Sequence, residues 1–78
     1  MSIPNSGELW VTNGRVQILP GVGVFYVEPN TIFLVLGVRR NFVAATKEYI
    51  EYYQVLYNEK IHYILKFWFD KNYLSILQ

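Results

Sequence analysis

The chain is short, apolar and almost neutral. Its 78 residues are 53% hydrophobic and 18% aromatic, with a formal net charge of +1. A chain of this length forms one domain, here residues 1–78, and buries only about 60% of its unfolded surface. We therefore expect part of the apolar surface to meet another subunit, because small domains often gain stability by oligomerising. With no cysteine and one histidine, disulfides and a Cys/His zinc site are excluded, and no metal or cofactor is predicted.

The sequence shows no pattern that is typical of a targeting signal or a membrane-spanning helix. Its first residues, MSIPNSGELW, lack the basic region and apolar core of a secretory leader. The longest apolar run, IFLVLGV from Ile32 to Val38, is about a third of the length that a membrane-spanning helix needs. We therefore predict a cytoplasmic protein with no membrane partner.

Turn residues divide the first part of the chain into short runs. Asn13-Gly14 lies between GELWVT and RVQIL and predicts a hairpin, because this dipeptide suits a two-residue hairpin loop. Pro20-Gly21 with Gly23 marks the next break, and Pro29-Asn30 follows VFYVE. The runs between these breaks are rich in Val, Ile, Tyr and Phe, which suit a pleated sheet. Short strands with such regular breaks predict a small all-β barrel or sandwich.

A long strand, TIFLVLGVRR, follows the last of these breaks. The next stretch, NFVAAT (residues 41–46), is expected to be a loop or a single helical turn. Near the C-terminus, FDKN (residues 69–72) predicts a tight turn or one turn of 3₁₀ helix. The run YLSIL (residues 73–77) predicts a short closing strand.

Residues 47–65 are compatible with two structures. Apolar residues from Tyr49 to Trp68 recur at spacings of three and four, as in an amphipathic helix. However, Tyr, Ile and Val are only middling helix formers. A hairpin turning at Asn58-Glu59 would instead give the cross-strand pairs Leu56 with Ile61, Val55 with His62 and Gln54 with Tyr63. We favour the hairpin, and the helix is the alternative.

The order of these parts resembles the Sm/LSm family of small, strongly bent, five-stranded barrels, and a similar pattern occurs in short proteins of marine phages. The resemblance covers about residues 22–78 and lies in the long strand, the hairpin YYQVLYNEKIHYI, the turn FDKN and the strand YLSIL. It implies an all-β Sm-like barrel that forms a cyclic homo-oligomer and binds RNA near a pore, in the cytoplasm of an infected cell. Neither of the family's two nucleotide-binding motifs is present, so no site residue is carried over from it.

Two adjacent arginines give the best candidate site. Guanidinium groups suit phosphates and stack on bases, and an aromatic ring beside them offers a stacking surface for an unpaired base. The alternative is a solvated strand end that carries two charges. We predict a nucleic-acid site made by Arg39, Arg40, Asn41, Phe42, Lys47 and Lys60.

No residue pattern predicts an enzyme. His62 has no nearby Ser, Cys or paired acid that would make a nucleophilic site. The tyrosines of residues 49–63 are expected in the core or at a subunit interface. The leading hypothesis is a non-enzymatic, ring-forming protein that binds RNA or single-stranded DNA. The alternative, favoured by the near-neutral charge, is a phage structural or adaptor protein that docks on other proteins.

Overall fold

The computed structural model describes residues 3–19 and 25–77. In chain order, the elements are the strands β1 Leu9–Thr12, β2 Val16–Ile18, β3 Phe25–Val27, β4 Ile32–Val43, β5 Glu48–Tyr57 and β6 Lys60–Leu65, the helix α1 Lys66–Asp70, and the strand β7 Leu74–Ile76. The prediction of a mostly β protein with one short helical turn is confirmed.

The strands form one large and one small antiparallel sheet. The large sheet has five strands in the order β6-β5-β4-β1-β7, and β2 pairs with β3 in the small one. The small sheet is tied to β6, since the Leu19 N–H donates to the Tyr63 carbonyl at 2.7 Å and the Tyr63 N–H donates in return. Within the described residues, β6 and β7 do not pair with each other, so the closed Sm-like barrel is not confirmed.

The core lies between the two sheets and is closed at one end by α1. Alternate residues of each strand face it, as the pleat of a strand requires. The helix is anchored by Phe69, whose ring lies 5.3 Å from that of Trp10 and 4.8 Å from that of Tyr53. The buried apolar residues are Trp10, Val16, Ile18, Val27, Phe33, Val35, Tyr53, Val55, Ile64, Phe69 and Leu74.

The hairpin of β5 and β6 is confirmed, and the helical alternative for residues 47–65 is wrong. All three predicted cross-strand pairs are present: Leu56 with Ile61, Val55 with His62 and Gln54 with Tyr63. At the turn, Asn58 and Glu59 have φ of 51° and 63°. Two successive left-handed residues are what a two-residue type I′ loop needs to match the twist of the strands.

The hairpin predicted at Asn13-Gly14 is wrong. Strand β1 pairs with β4 and β7, and β2 pairs with β3. The reason is that Asn13 bonds to distant residues. Its N–H donates to the Tyr73 carbonyl at 2.7 Å, and its side-chain amide donates to the Ser75 hydroxyl at 2.7 Å. The break predicted at Pro20-Gly21 and Gly23 lies outside the described residues, and the turn at Pro29-Asn30 is confirmed.

The loop predicted at residues 41–46 is only partly correct, because β4 continues to Val43 and the turn covers residues 44–47. Near the C-terminus, the helical turn begins at Lys66, three residues before the predicted turn, and the chain reverses at Asn72 with a φ of 63°. Strand β4 also contains a bulge, since its register against β5 shifts between Val35 and Gly37. A bulge bends the strand and changes which face later side chains occupy.

Candidate functional site

The far halves of β4 and β5 form a two-stranded hairpin that extends beyond the rest of the sheet. Strand β1 covers β4 only at Ile32–Leu34, and β6 covers β5 only at Tyr52–Tyr57. Residues 40–51, here called the arm, pair only with each other among the described residues. A two-stranded hairpin is only marginally stable in water by itself. A contact with another surface would stabilise the arm, and the side chains on its two faces indicate the chemistry of such a surface.

One face of the arm is aromatic. Phe42 and Tyr49 are directly opposite each other, with ring centroids 5.2 Å apart in an edge-to-face arrangement. Both rings are exposed, Phe42 at 55% and Tyr49 at 64%. On the same face, the Arg40 guanidinium lies 5.5 Å from the centre of the Tyr49 ring and 3.1 Å from the Glu51 carboxylate. This face therefore presents two adjacent rings beside an ion pair.

The opposite face of the arm forms one wall of an open groove of about 400 Å³. The floor contains Tyr52 and Tyr63, whose ring centroids are 5.3 Å apart at an interplanar angle of 85°. Apart from these two tyrosines, the groove residues are apolar except for Asn41. The groove is lined by Leu19, Asn41, Val43, Ile50, Tyr52, Tyr63 and Leu65. Such a groove suits apolar side chains better than a charged ligand.

The predicted arginines lie on opposite faces of the arm and its base. Successive residues of a strand point to opposite sides, so Arg40 shares a face with Phe42, and Arg39 shares the other with Asn41. Arg39 is opposite Tyr52, and its guanidinium donates to the Gln54 side-chain oxygen at 3.1 Å. The structure therefore brings Arg40 together with Phe42, and Arg39 together with Asn41, but it does not bring the two arginines together.

The two predicted lysines lie at opposite ends of β5. Lys47 is at the arm tip with a φ of 56°, directly before the first residue of β5. Lys60 is paired with Tyr57 at the other end. Because β5 has ten residues, these two ends are about 30 Å apart. Lys60 is therefore remote from the other predicted residues.

The arm carries no net charge. Arg40 and Lys47 are balanced by Glu48 and Glu51, and Arg40 is already paired with Glu51. Proteins that bind nucleic acid usually present a clear basic patch or stripe. One face of the arm instead carries Phe42, Tyr49 and Arg40, and aromatic residues and arginine are enriched in protein interfaces.

Among the described residues, no group of three metal-ligating side chains is close enough to hold a metal ion. His62 is half-buried on β6, with its ring 5.9 Å from that of Tyr57. Its Nδ1 atom is buried and has no hydrogen-bond partner in the part of the chain that the structure describes.

Sequence reasoning missed much of this site. It expected Tyr49 in the core or at a subunit interface without relating it to Phe42, and it did not identify the groove. The groove depends on the bridge between Leu19 and Tyr63, which no local pattern in the sequence predicts. The pairing of Phe42 with Tyr49 could have been found if residues 41–43 had been assigned to a strand.

The chain matched no family model, no curated protein and no solved structure. Within residues 3–19 and 25–77, no helix is long and apolar enough to cross a membrane.

Proposed function

We propose that this protein is a non-enzymatic docking module that binds other proteins through its arm. The main support is the exposure of Phe42 and Tyr49 on a hairpin that pairs with no other strand in the described structure. Aromatic side chains supply much of the energy of protein interfaces, because they bury a large area and lose little conformational freedom. A partner that covered this face would also stabilise the hairpin.

The backbone of the arm supports a contact with an extended segment. Beyond Val35, the edge of β4 that faces away from β5 has no strand partner among the described residues. An unpaired edge can accept a further strand from a partner, which supplies main-chain hydrogen bonds. In this binding mode, alternate side chains of the added strand face the same way as Phe42. We infer a partner segment with apolar residues at every second position.

A display library of random peptides, selected on the immobilised protein, tests this proposal even though the natural partner is unidentified. We expect the selected peptides to alternate apolar and polar residues. Their dissociation constants would then be measured for the wild type and for the double variant Phe42→Ser/Tyr49→Ser. We expect at least about a tenfold weakening, which corresponds to about 1.4 kcal/mol and is modest for the loss of two aromatic contacts.

The matched control is Phe67→Ser/Tyr26→Ser. It removes the same two residue types from exposed positions outside the arm, at 52% and 45% exposure. We expect this variant to bind the selected peptides as the wild type does. Equal affinity of the wild type and the arm variant would contradict the proposal, and so would an equal loss in both variants.

Binding of RNA or single-stranded DNA is a second candidate function, supported by the position of Arg39. Arg39 forms no ion pair among the described residues, and its cross-strand partner is Tyr52, one of the residues that line the groove. A cation beside an aromatic floor can hold a phosphate and stack a base. Fluorescence anisotropy with a short single-stranded oligonucleotide at low and high salt tests this. Binding that weakens with salt and is lost in Arg39→Ala would support it, and no binding at low salt would contradict it.

A further inference from the structure

The face of the large sheet that points away from the core carries a continuous aliphatic row. Leu9 is opposite Leu34, Leu34 is opposite Leu56, and Leu56 is opposite Ile61. Leu77 extends the row beyond β1, because its N–H donates to the Leu9 carbonyl at 2.8 Å. Directly opposed residues on neighbouring strands share a face. The row therefore crosses the sheet from one edge strand to the other.

The row is apolar along its length and bordered by polar groups on one side. Val11 and Ile32, also opposite each other, widen it on one flank. On the other flank, Gln54 accepts a hydrogen bond from Arg39. Leu56 and Ile61 are exposed, and Leu9 and Leu34 are half-buried. An apolar centre with a polar border is the usual organisation of a protein interface.

The total accessible surface of the chain is larger than that of a compact monomer of the same mass. The accessible surface is 5419 Å² for a mass of 9.2 kDa. A compact monomer of this mass exposes about 4,900 Å², so the chain exposes about 500 Å² more than expected. This excess belongs to the whole chain, including the protruding arm, and the row and its flank contribute to it through Ile32, Leu56, Ile61 and Leu77, which are 36–51% exposed. A specific contact between two copies would bury at least about 1,000 Å² in total.

We propose that the row is a homodimer interface in which the outer faces of two large sheets stack on each other. A two-fold contact must match a surface with itself. The row can do so because it contains no charged side chain that would repel its own copy. Stacked sheets lie about 10 Å apart with their side chains interdigitated. Leu34 is the central residue of the row, so it lies closest to the two-fold axis.

This interface is separate from the arm, and its test does not require a partner of the arm. The sedimentation of the wild type and of Ile61→Glu would be measured over a range of concentrations. We expect the wild type to be a dimer in the micromolar range. We expect Ile61→Glu to weaken the dimer by about tenfold or more, because a carboxylate would be buried without a partner.

The matched control for this experiment is Ile76→Glu. Ile76 is 45% exposed and Ile61 is 48% exposed, but Ile76 is paired with the core residue Trp10 and lies on the other face of the sheet. We expect Ile76→Glu to dimerise as the wild type does. A monomeric wild type would overturn the proposal, as would equal dimerisation of Ile61→Glu and the wild type.

A cysteine crosslink tests the geometry independently of the charge substitutions. The natural chain has no cysteine, so Leu34→Cys would introduce a single thiol near the two-fold axis. With a bifunctional maleimide that spans about 10 Å, the spacing of stacked sheets, we expect Leu34→Cys to form a covalent dimer much faster than Ile76→Cys. Equal rates would overturn the stacked arrangement. A cyclic ring joined through strand edges would give a larger mass without the Leu34 crosslink, and it would overturn the proposal as well.

Discussion

The guanidinium of Arg40 lies 3.1 Å from the carboxylate of Glu51 on the exposed arm. Glu51 neutralises the charge of Arg40, which was predicted from the sequence to bind nucleic acid. The ion pair lies beside the Phe42 and Tyr49 rings. The arm is therefore better suited to a protein surface than to a phosphate backbone. Two of its features, neutral charge and exposed aromatic rings, support the docking proposal.

The Arg40–Glu51 pair is expected to contribute little to stability. Both side chains are partly solvated, and exposed ion pairs typically contribute about 0–1 kcal/mol. Arg40→Ala should therefore lower the free energy of unfolding by less than about 1 kcal/mol in urea denaturation. The control is Arg15→Ala, which removes an exposed pair with Glu28 and should have an equally small effect. A loss well above that range for Arg40→Ala alone would show that the pair stabilises the arm.

Glu59→Gly should stabilise the protein. Glu59 has a φ of 63°, and a left-handed backbone costs a non-glycine residue about 1–2 kcal/mol. Glycine adopts this conformation without a steric cost but loses more chain entropy on folding. We expect a net gain of about 0.5–1 kcal/mol in the free energy of unfolding.

The control for this substitution is Glu48→Gly, an equally solvated glutamate at the start of β5. Glu48 is not one of the described non-glycine residues that have a positive φ. Glycine at this position should therefore destabilise the protein. If thermal unfolding shows the same sign of change for both variants, the turn assignment is wrong.

Ile64→Val should destabilise the protein more than Ile61→Val, although both residues are on β6. Ile64 is fully buried in the core, whereas Ile61 is exposed. Removing one buried methylene should cost about 0.5–1.5 kcal/mol, and the change at Ile61, measured at concentrations low enough to keep the protein monomeric, should stay within about 0.5 kcal/mol. Urea denaturation of the two variants measures the difference. Equal losses would contradict the assignment of inner and outer faces on this strand.

Glu8 should make stability depend on pH in the acid range. The Asn5 backbone N–H donates to its carboxylate at 2.7 Å, and the Trp10 indole N–H donates at 3.2 Å. These bonds, that from Asn5 foremost, lower the pKa of Glu8 below its ordinary value of 4.5, although partial burial opposes them. Because the folded pKa is the lower one, the stabilisation is complete above the ordinary value and is lost as the pH falls through the folded pKa.

The variant Glu8→Gln tests this dependence. At neutral pH it should unfold at a lower temperature than the wild type. The gap between the two melting temperatures should close as the pH falls below the folded pKa of Glu8. A gap that is independent of pH would mean that the carboxylate charge does not contribute.

Local sequence patterns predicted the parts of the fold that depend on local interactions. The β5–β6 hairpin was predicted with its register, because a two-residue turn at Asn58-Glu59 fixes every pair that follows it. The pairing of β1 with β4 and β7 was not predicted. Asn13-Gly14 has the composition of a hairpin turn, but the bonds from Asn13 to Tyr73 and Ser75 decide its conformation.

The residues of the candidate site were predicted from the sequence, but their positions relative to one another in the fold were not. The bulge between Val35 and Gly37 places Val35 and Val38 opposite the core residues Val55 and Tyr53. Arg39 is then directed to the outer face and Arg40 to the inner one. A glycine within a strand pattern is the available signal for such a bulge. The face of the sheet to which each arginine points depends on the register of β4 against β5.

Hydrogen exchange of the arm, measured with and without a selected peptide, tests the docking proposal most directly. The backbone amides of residues 40–43 should exchange quickly in the free protein, because a marginally stable hairpin opens easily. They should exchange much more slowly in the complex, while the amides of residues 52–65, where β5 pairs with β6, change little. If the peptide protects another part of the chain and leaves the exchange of residues 40–43 unchanged, the arm is not the docking site.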